Sequence, residues 1–191
     1  MEALFVSTGV VALAEMGDKT QLLAFILAAR FKRPLPIVLG ILFATLLNHG
    51  LAGVLGTWIT TVISPDVLRW VLGLSFIAMA IWTLIPDKIE EEETQIAGKL
   101  GVFGATFITF FLAEMGDKTQ LATIALAANY AAPVLVIAGT TLGMLIADVP
   151  AVFIGNRYAE KISMKLVHGI AAGIFALMGV LTLLQLDKRF S

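Results

Sequence analysis

The chain contains no cysteine. That absence removes disulfides, zinc–thiolate centres and thiol nucleophiles. Histidine is almost as scarce. His49 and His168 are the two present, and no H-E-x-x-H pair exists, which puts an intramembrane metalloprotease far down the ranking. Charge is sparse as well: Asp, Glu, Lys and Arg make up 14% of 191 residues, where a soluble domain carries about 25%. The charges nearly cancel, to a net -1, so there is no basic surface and no nucleic-acid partner is expected. What remains is apolar. Hydrophobic residues reach 59%, and the mean hydropathy is +0.93. A composition of this kind points to a protein solvated by lipid.

Six apolar segments stand out: Ala3–Ala29, Leu35–Ile63, Val67–Ile85, Leu100–Ala128, Val134–Ile154 and Leu166–Leu186. Each is near or above the roughly 20 residues that cross a bilayer as a helix. The first residues lack the basic start of a secretory signal, so Ala3–Ala29 is read as the first span. Prolines sit in the breaks, at Pro34, Pro65, Pro86 and Pro133, where helices start or stop. No alternating barrel pattern appears, and lipid then leaves a helical bundle.

Within this apolar chain the decapeptide LAEMGDKTQL occurs twice, at Leu13–Leu22 and Leu112–Leu121. The offset of 99 holds without a gap beyond the motif. Pro34 falls on Pro133, Gly40 on Gly139, Phe76 on Phe175 and Met79 on Met178. The chain therefore reads as two copies of a three-helix unit. Three is an odd number, so the second copy enters the membrane from the opposite side. The expected fold is an all-α integral membrane protein of six transmembrane helices, arranged as two inverted three-helix repeats. The first repeat is 1–86, the second is 100–191, and an acidic cytoplasmic linker of 87–99, carrying Glu90–Glu93, joins them. Inverted repeats recur in secondary transporters, with the site near the midplane where the repeats meet.

The motif places Glu15, Asp18 and Lys19, and again Glu114, Asp117 and Lys118, in the middle of apolar segments. Read as a continuous helix, each set occupies one arc of about 100°. Lipid-facing charges at mid-span cost roughly 2.5–3.5 kcal/mol each, so these groups are expected to face one another across the bundle. Four carboxylates and two ammoniums sum to -2. One divalent cation balances that sum, and so do two protons. Glu15, Asp18, Glu114 and Asp117 are thus candidate cation ligands. Gln21 and Gln120 are candidate neutral oxygen ligands, supported by Thr20 and Thr119. Oxygen donors suit hard or borderline ions such as Ca2+ and Mn2+. Lys19 and Lys118 are supporting charges. Gly17 and Gly116 serve close packing, or let the helix open. On the second helix of each copy, Asn48, His49 and Asp148 are candidate ligands or proton carriers, with Pro150 freeing a carbonyl nearby. Met16 and Met115 are read as packing residues rather than sulfur ligands.

At these residues the chain resembles a known membrane family, the one defined by two copies of E-x-G-D-(K/R)-(S/T). The family includes bacterial manganese exporters and Golgi manganese/calcium transporters, and belongs with the calcium/cation exchanger group. The motif matches at Glu15–Thr20 and at Glu114–Thr119, and the likeness extends over nearly the whole chain. The resemblance implies cation/proton antiport with the motif acids as ligands, no resident cofactor, and Mn2+ or Ca2+ as cargo. It also implies a bacterial inner-membrane location. Two rivals stand beside Mn2+/H+ antiport: a Ca2+/H+ exchanger on the same scaffold, and an exporter of a cationic amino acid or other small organic solute that binds its amine to the acids. No enzymatic activity is expected.

Lysine and arginine set the expected orientation. The first, third and fifth loops hold Arg30, Lys32, Arg33, Lys88, Lys99, Arg157, Lys161 and Lys165, while the other side holds only Arg69, Lys188 and Arg189. The positive-inside rule then puts those odd-numbered loops in the cytoplasm and both termini outside it. A single cysteine introduced by Glu92→Cys tests this cleanly, because the chain has no other. An impermeant thiol reagent should label it in inside-out vesicles and not in intact cells; labelling of intact cells overturns the orientation.

Overall fold

A computed structural model describes residues 1–85, 100–154 and 164–184. Every regular element among them is an α-helix: α1 (Glu2–Glu15), α2 (Lys19–Phe31), α3 (Pro34–Val62), α4 (Pro65–Thr83), α5 (Gly101–Glu114), α6 (Lys118–Tyr130), α7 (Pro133–Ile154) and α8 (Met164–Leu183). The linker 87–99 and the basic residues Arg157, Lys161, Lys188 and Arg189 lie outside the described residues.

Eight helices stand where six were expected, because the first and fourth apolar segments are not continuous. Both break inside the motif. The chain leaves α1 at Met16 in an extended conformation, turns through Gly17 at φ +82°, and re-enters helix at Asp18. The second copy does the same through Gly116 at φ +76°. Only glycine adopts such a left-handed conformation without penalty; a side chain there costs about 1–2 kcal/mol. Asp18 and Asp117 then cap the new helices. Each carboxylate accepts the backbone N–H of the lysine that follows, at 2.9 and 2.6 Å, a strong N-terminal start signal. The half-helices have 13 or 14 residues. At 1.5 Å per residue each is about 20 Å long, too short to cross a bilayer alone. α3, α4 and most of α7 are long and apolar enough to do so.

The other joints are also duplicated. α2 ends at Lys32 and α6 at Ala131, both left-handed despite carrying side chains (φ 53° and 48°), and both sit at equivalent repeat positions. Pro34 and Pro133 then begin the next helices two residues later. These tight turns set α3 and α7 back alongside the other copy.

The packing crosses between copies. α1 lies along α7, and α5 along α3. Glycines permit the approach: a Cβ on Gly139 would come within 2.6 Å of the Leu4 carbonyl oxygen, and one on Gly40 within 2.6 Å of Thr106 Cβ. α4 packs on α8, where Phe76 stacks on its own repeat counterpart Phe175, with ring centroids 6.5 Å apart. Two buried apolar clusters result. One joins Val10 and Ala14 of α1 to Ala122 and Leu126 of α6, with Phe76 and Phe175. The other joins Leu23 and Leu27 of α2 to Phe110 and Ala113 of α5, with Ile37 and Ile41 of α3. Each cluster thus takes the half before the break from one copy and the half after it from the other. The outer faces stay apolar: Phe43, Leu51, Val54 and Trp58 of α3 and Trp70, Leu74 and Ile81 of α4 are exposed. A water-soluble monomer rarely shows so much apolar surface; here it is the lipid-facing surface of an integral membrane protein.

Candidate functional site

The two breaks bring polar groups into the bundle interior. Glu15, Asp18, Glu114, Asp117 and Lys118 are all buried, none more than 4% exposed. So are Thr20, Thr119, Asn48, His49 and Asp148. Gln21, Gln120 and Lys19 are half-buried. Gly17 and Gly116 lie at the exposed edge of their turns, and Met115 points outward, so its sulfur belongs neither to the site nor to the core.

Glu15, Asp18 and Asp117 converge. Each offers a carboxylate oxygen, and these oxygens lie within 4.8 Å of one another. Two come from the first copy and one from the second, so the break in each copy contributes to one cluster. A charge bridge crosses in the same place: Lys118 Nζ lies 2.6 Å from Asp18 Oδ2, with both side chains buried.

Glu114 is held differently from its counterpart. Glu15 Oε2 accepts the hydroxyl of Thr20, from its own motif, at 2.5 Å. Glu114 Oε1 accepts the hydroxyl of Thr45 on α3 at 2.7 Å, and its Oε2 accepts from Asn48 Nδ2 at 3.4 Å. Asn48 Nδ2 also reaches the Phe111 carbonyl at 3.0 Å. Thr45, Asn48 and His49 lie three and four residues apart on α3 and share a face. Thr45 is the functional neighbour that sequence reasoning passed over. Its equivalent in the second copy is Met144, so comparing repeats hid it; the helical spacing from Asn48 was the available signal.

The glutamines bracket the breaks. Gln21 Oε1 accepts the Gly17 N–H at 3.0 Å, while its Nε2 donates to the Ala147 carbonyl of α7 at 2.8 Å. Gln120 Oε1 accepts the Gly116 N–H at 2.8 Å, and its Nε2 donates to Asn48 Oδ1 at 3.3 Å. Each glutamine therefore holds its own turn closed and ties it to the other copy's second helix. Pro150, inside α7, lacks the N–H that would bond to the carbonyl four residues earlier. The ladder is loosened there, and the neighbouring Ala147 carbonyl takes Gln21.

Asp148 and His49 occupy equivalent positions on α7 and α3. Neither Asp148 oxygen nor either His49 nitrogen has a hydrogen-bond partner among the described residues. Thr20 lies beside Asp148, but its single hydroxyl proton goes to Glu15. Asp148 also lies in the field of Glu114 and Asp18. A buried polar group without a partner calls for a proton, a water or an ion.

The comparisons with known proteins agree with this architecture. The pattern of the family described as divalent cation/proton antiporter GDT1 matches the chain twice, over residues 3–91 and 102–189. The chain belongs to that family. The family is one of transporters. A relative in Vibrio cholerae serotype O1, provisionally named a manganese exporter, is 52% identical over 183 residues, covering 95% of this chain and 90% of the relative. A GDT1-like protein of Synechocystis is 35% identical over 191 residues, covering 90% of this chain and 92% of its own length. A GDT1-like protein of Oryza sativa subsp. indica is 33% identical over 201 residues, covering 91% and 71%. No solved structure matches the chain.

The Thr45–Glu114 bond yields a direct test. Thr45→Val keeps the shape but removes the donor to a buried carboxylate, which should lower stability by about 1.5–3 kcal/mol. Thr45→Ser should retain most of it. Thermal unfolding in detergent measures the difference; a Thr45→Val protein as stable as wild type contradicts the role assigned to the hydroxyl.

Proposed function

We propose that this chain exports divalent cations from the cytoplasm in exchange for protons, with Mn2+ the first candidate and Ca2+ the second. The observation that carries this reading is the convergence of Glu15, Asp18 and Asp117 from both copies into one buried, ion-sized cluster. Three carboxylates with the paired Lys118 sum to -2 in their ionised forms, which one divalent ion balances. The donors are oxygens throughout, which favours hard or borderline ions over copper or zinc. Glu114 is the fourth acid of the site, steadied by Thr45 and Asn48 until cargo draws it in. Gln21 and Gln120 keep a lone pair each for an ion, beside their bonds to the glycine turns.

The architecture proposed for this function has six spans, in which α1 with α2, and α5 with α6, each cross as a broken helix. Support for an inverted relation comes from the packing. The half before one break packs with the half after the other, and Phe76 meets Phe175 as a residue near a two-fold axis must. Broken helices whose ends face a midplane site are a recurrent transporter device. The charge asymmetry of the loops supports odd-numbered loops in the cytoplasm and both termini outside it. The likeness to the Vibrio cholerae relative favours manganese and a bacterial inner membrane.

Exchange follows from charge. The site cannot cross the low-dielectric path empty and fully ionised. Cargo and protons compete for the same oxygens, so an ion released toward an acidic compartment is replaced by protons on the return. Two protons per divalent ion leave the moving charge unchanged. Asp148 and His49, buried and without a hydrogen-bond partner among the described residues, are the positions proposed to handle protons.

The organic-solute rival needs a roomy pocket that reaches the acids. One cavity of about 190 Å³, between α4 and α6, is lined by residues such as Leu72, Trp82 and Leu121, and no acid lines it.

Inside-out vesicles test the proposal. Mn2+ uptake should require an imposed pH gradient and should be abolished by Asp117→Asn in protein that still inserts, with Ca2+ and lysine run as alternative cargo. Uptake indifferent to the gradient, or wild-type uptake by Asp117→Asn, contradicts it.

A further inference from the structure

Lys118 pairs with an acid of the other motif. Its ammonium reaches across to Asp18 of the first copy, 2.6 Å from Oδ2, with both side chains buried to within 2%. The choice of oxygen matters. Asp18 Oδ1 already caps α2 by accepting the Lys19 N–H, and the lysine bridges the other oxygen, Oδ2. The lysine therefore occupies a position that an ion in the Glu15–Asp18–Asp117 cluster needs. A hard divalent ion sits about 2.0–2.6 Å from its carboxylate oxygens. An ammonium on the same oxygen would then lie within about 5 Å of the ion, where like charges repel strongly in a poorly solvated interior.

Building on the cation-exporter reading, we propose that Lys118 is a tethered substitute cation: its ammonium fills Asp18 when the cargo has left and withdraws when cargo returns. Two consequences follow. In the empty carrier the lysine covers one of the three carboxylates, and the two exchanged protons cover the other two on the return limb. In the loading limb it competes with cargo and holds affinity down, so the ion can be released on the far side. Its position one residue after the Asp117 cap gives it the reach, since the α6 start lies against the α1–α2 break across the interface between copies.

The test separates net transport from exchange. Lys118→Met removes the ammonium while keeping length and apolar bulk. Proteoliposomes are assayed for proton-driven net Mn2+ transport, and for exchange of internal Mn2+ against external radioactive Mn2+, where the carrier returns loaded. Loss of the competitor should tighten apparent Mn2+ affinity by about 5–150-fold, the usual span for ligands coupled through one equilibrium. Exchange should persist while net transport falls at least about tenfold. Lys118→Arg, which keeps the charge, should restore part of the net transport. A folded Lys118→Met protein with net transport intact, with exchange and net transport lost in equal measure, or with weaker Mn2+ binding overturns the proposal. Should the variant fail to fold, the wild-type protein decides: in a structure loaded with Mn2+, Lys118 Nζ must have left Asp18 Oδ2. An ion on the cluster with the 2.6 Å contact retained contradicts the substitution. Wild-type proteoliposomes that carry Mn2+ in neither assay defeat the exporter reading itself, an outcome distinct from any difference between the variants.

Discussion

A carboxylate inside a bilayer has to be matched by a donor or a cation, and that requirement organises the rest of this structure. Glu15, Asp18, Glu114, Asp117 and Asp148 are all buried within the bundle. Left unmatched in hydrocarbon, each would cost several kcal/mol. The protein meets most of that demand locally. Thr20 serves Glu15, Thr45 and Asn48 serve Glu114, helix N-termini serve Asp18 and Asp117, and Lys118 bridges to Asp18. Among the described residues, both Asp148 oxygens lack a hydrogen-bond partner, and the exchange proposed above assigns that position to protons. Function here is the remainder left after structural satisfaction.

The broken helices make that arrangement possible. A continuous helix would have spent every backbone group on its own ladder. Breaking at Gly17 and Gly116 brings two helix C-termini and two N-termini to the middle of the bundle. The N-termini of α2 and α6 favour anionic caps, and the ends of α1 and α5 present the negative poles of their dipoles. Asp18 and Asp117 are thereby each fixed at one oxygen. Gln21 and Gln120 keep the turns in shape while tying each to the second helix of the opposite copy. The two copies are thereby tied to each other through their turns.

Much of this was legible in the residues. Composition announced a membrane protein, and the offset of 99 marked the duplication that the packing of α1 on α7 and α5 on α3 follows. The motif acids were expected inside the bundle because lipid leaves them no other place, and they are buried there. Opening at Gly17 and Gly116 was one of two alternatives the residues left, beside close packing, and the segments were still counted as single spans. Glycine followed by aspartate is a left-handed turn followed by an N-cap, yet the flanking apolar run suggested an unbroken span. Hydropathy measures solvation and says nothing of backbone continuity, so it could not register the break. The cross-copy partners were invisible for another reason. That Lys118 reaches Asp18, or that Thr45 serves Glu114, depends on how helices from separate copies face each other, and no local pattern encodes that. Repeat comparison even misled at Thr45, whose counterpart is Met144, because the two copies divide the work unequally.

The central claim is that both motifs build a single ion site. The most direct measurement is the stoichiometry of Mn2+ binding to purified protein, by calorimetry or by the spin-resonance signal of free Mn2+, in wild type and in Asp18→Asn and Asp117→Asn proteins that remain folded. One ion per chain, lost in either single variant, is the predicted result. Two ions per chain in the wild type, with one retained after either substitution, would mean that each motif holds its own ion and would contradict the account.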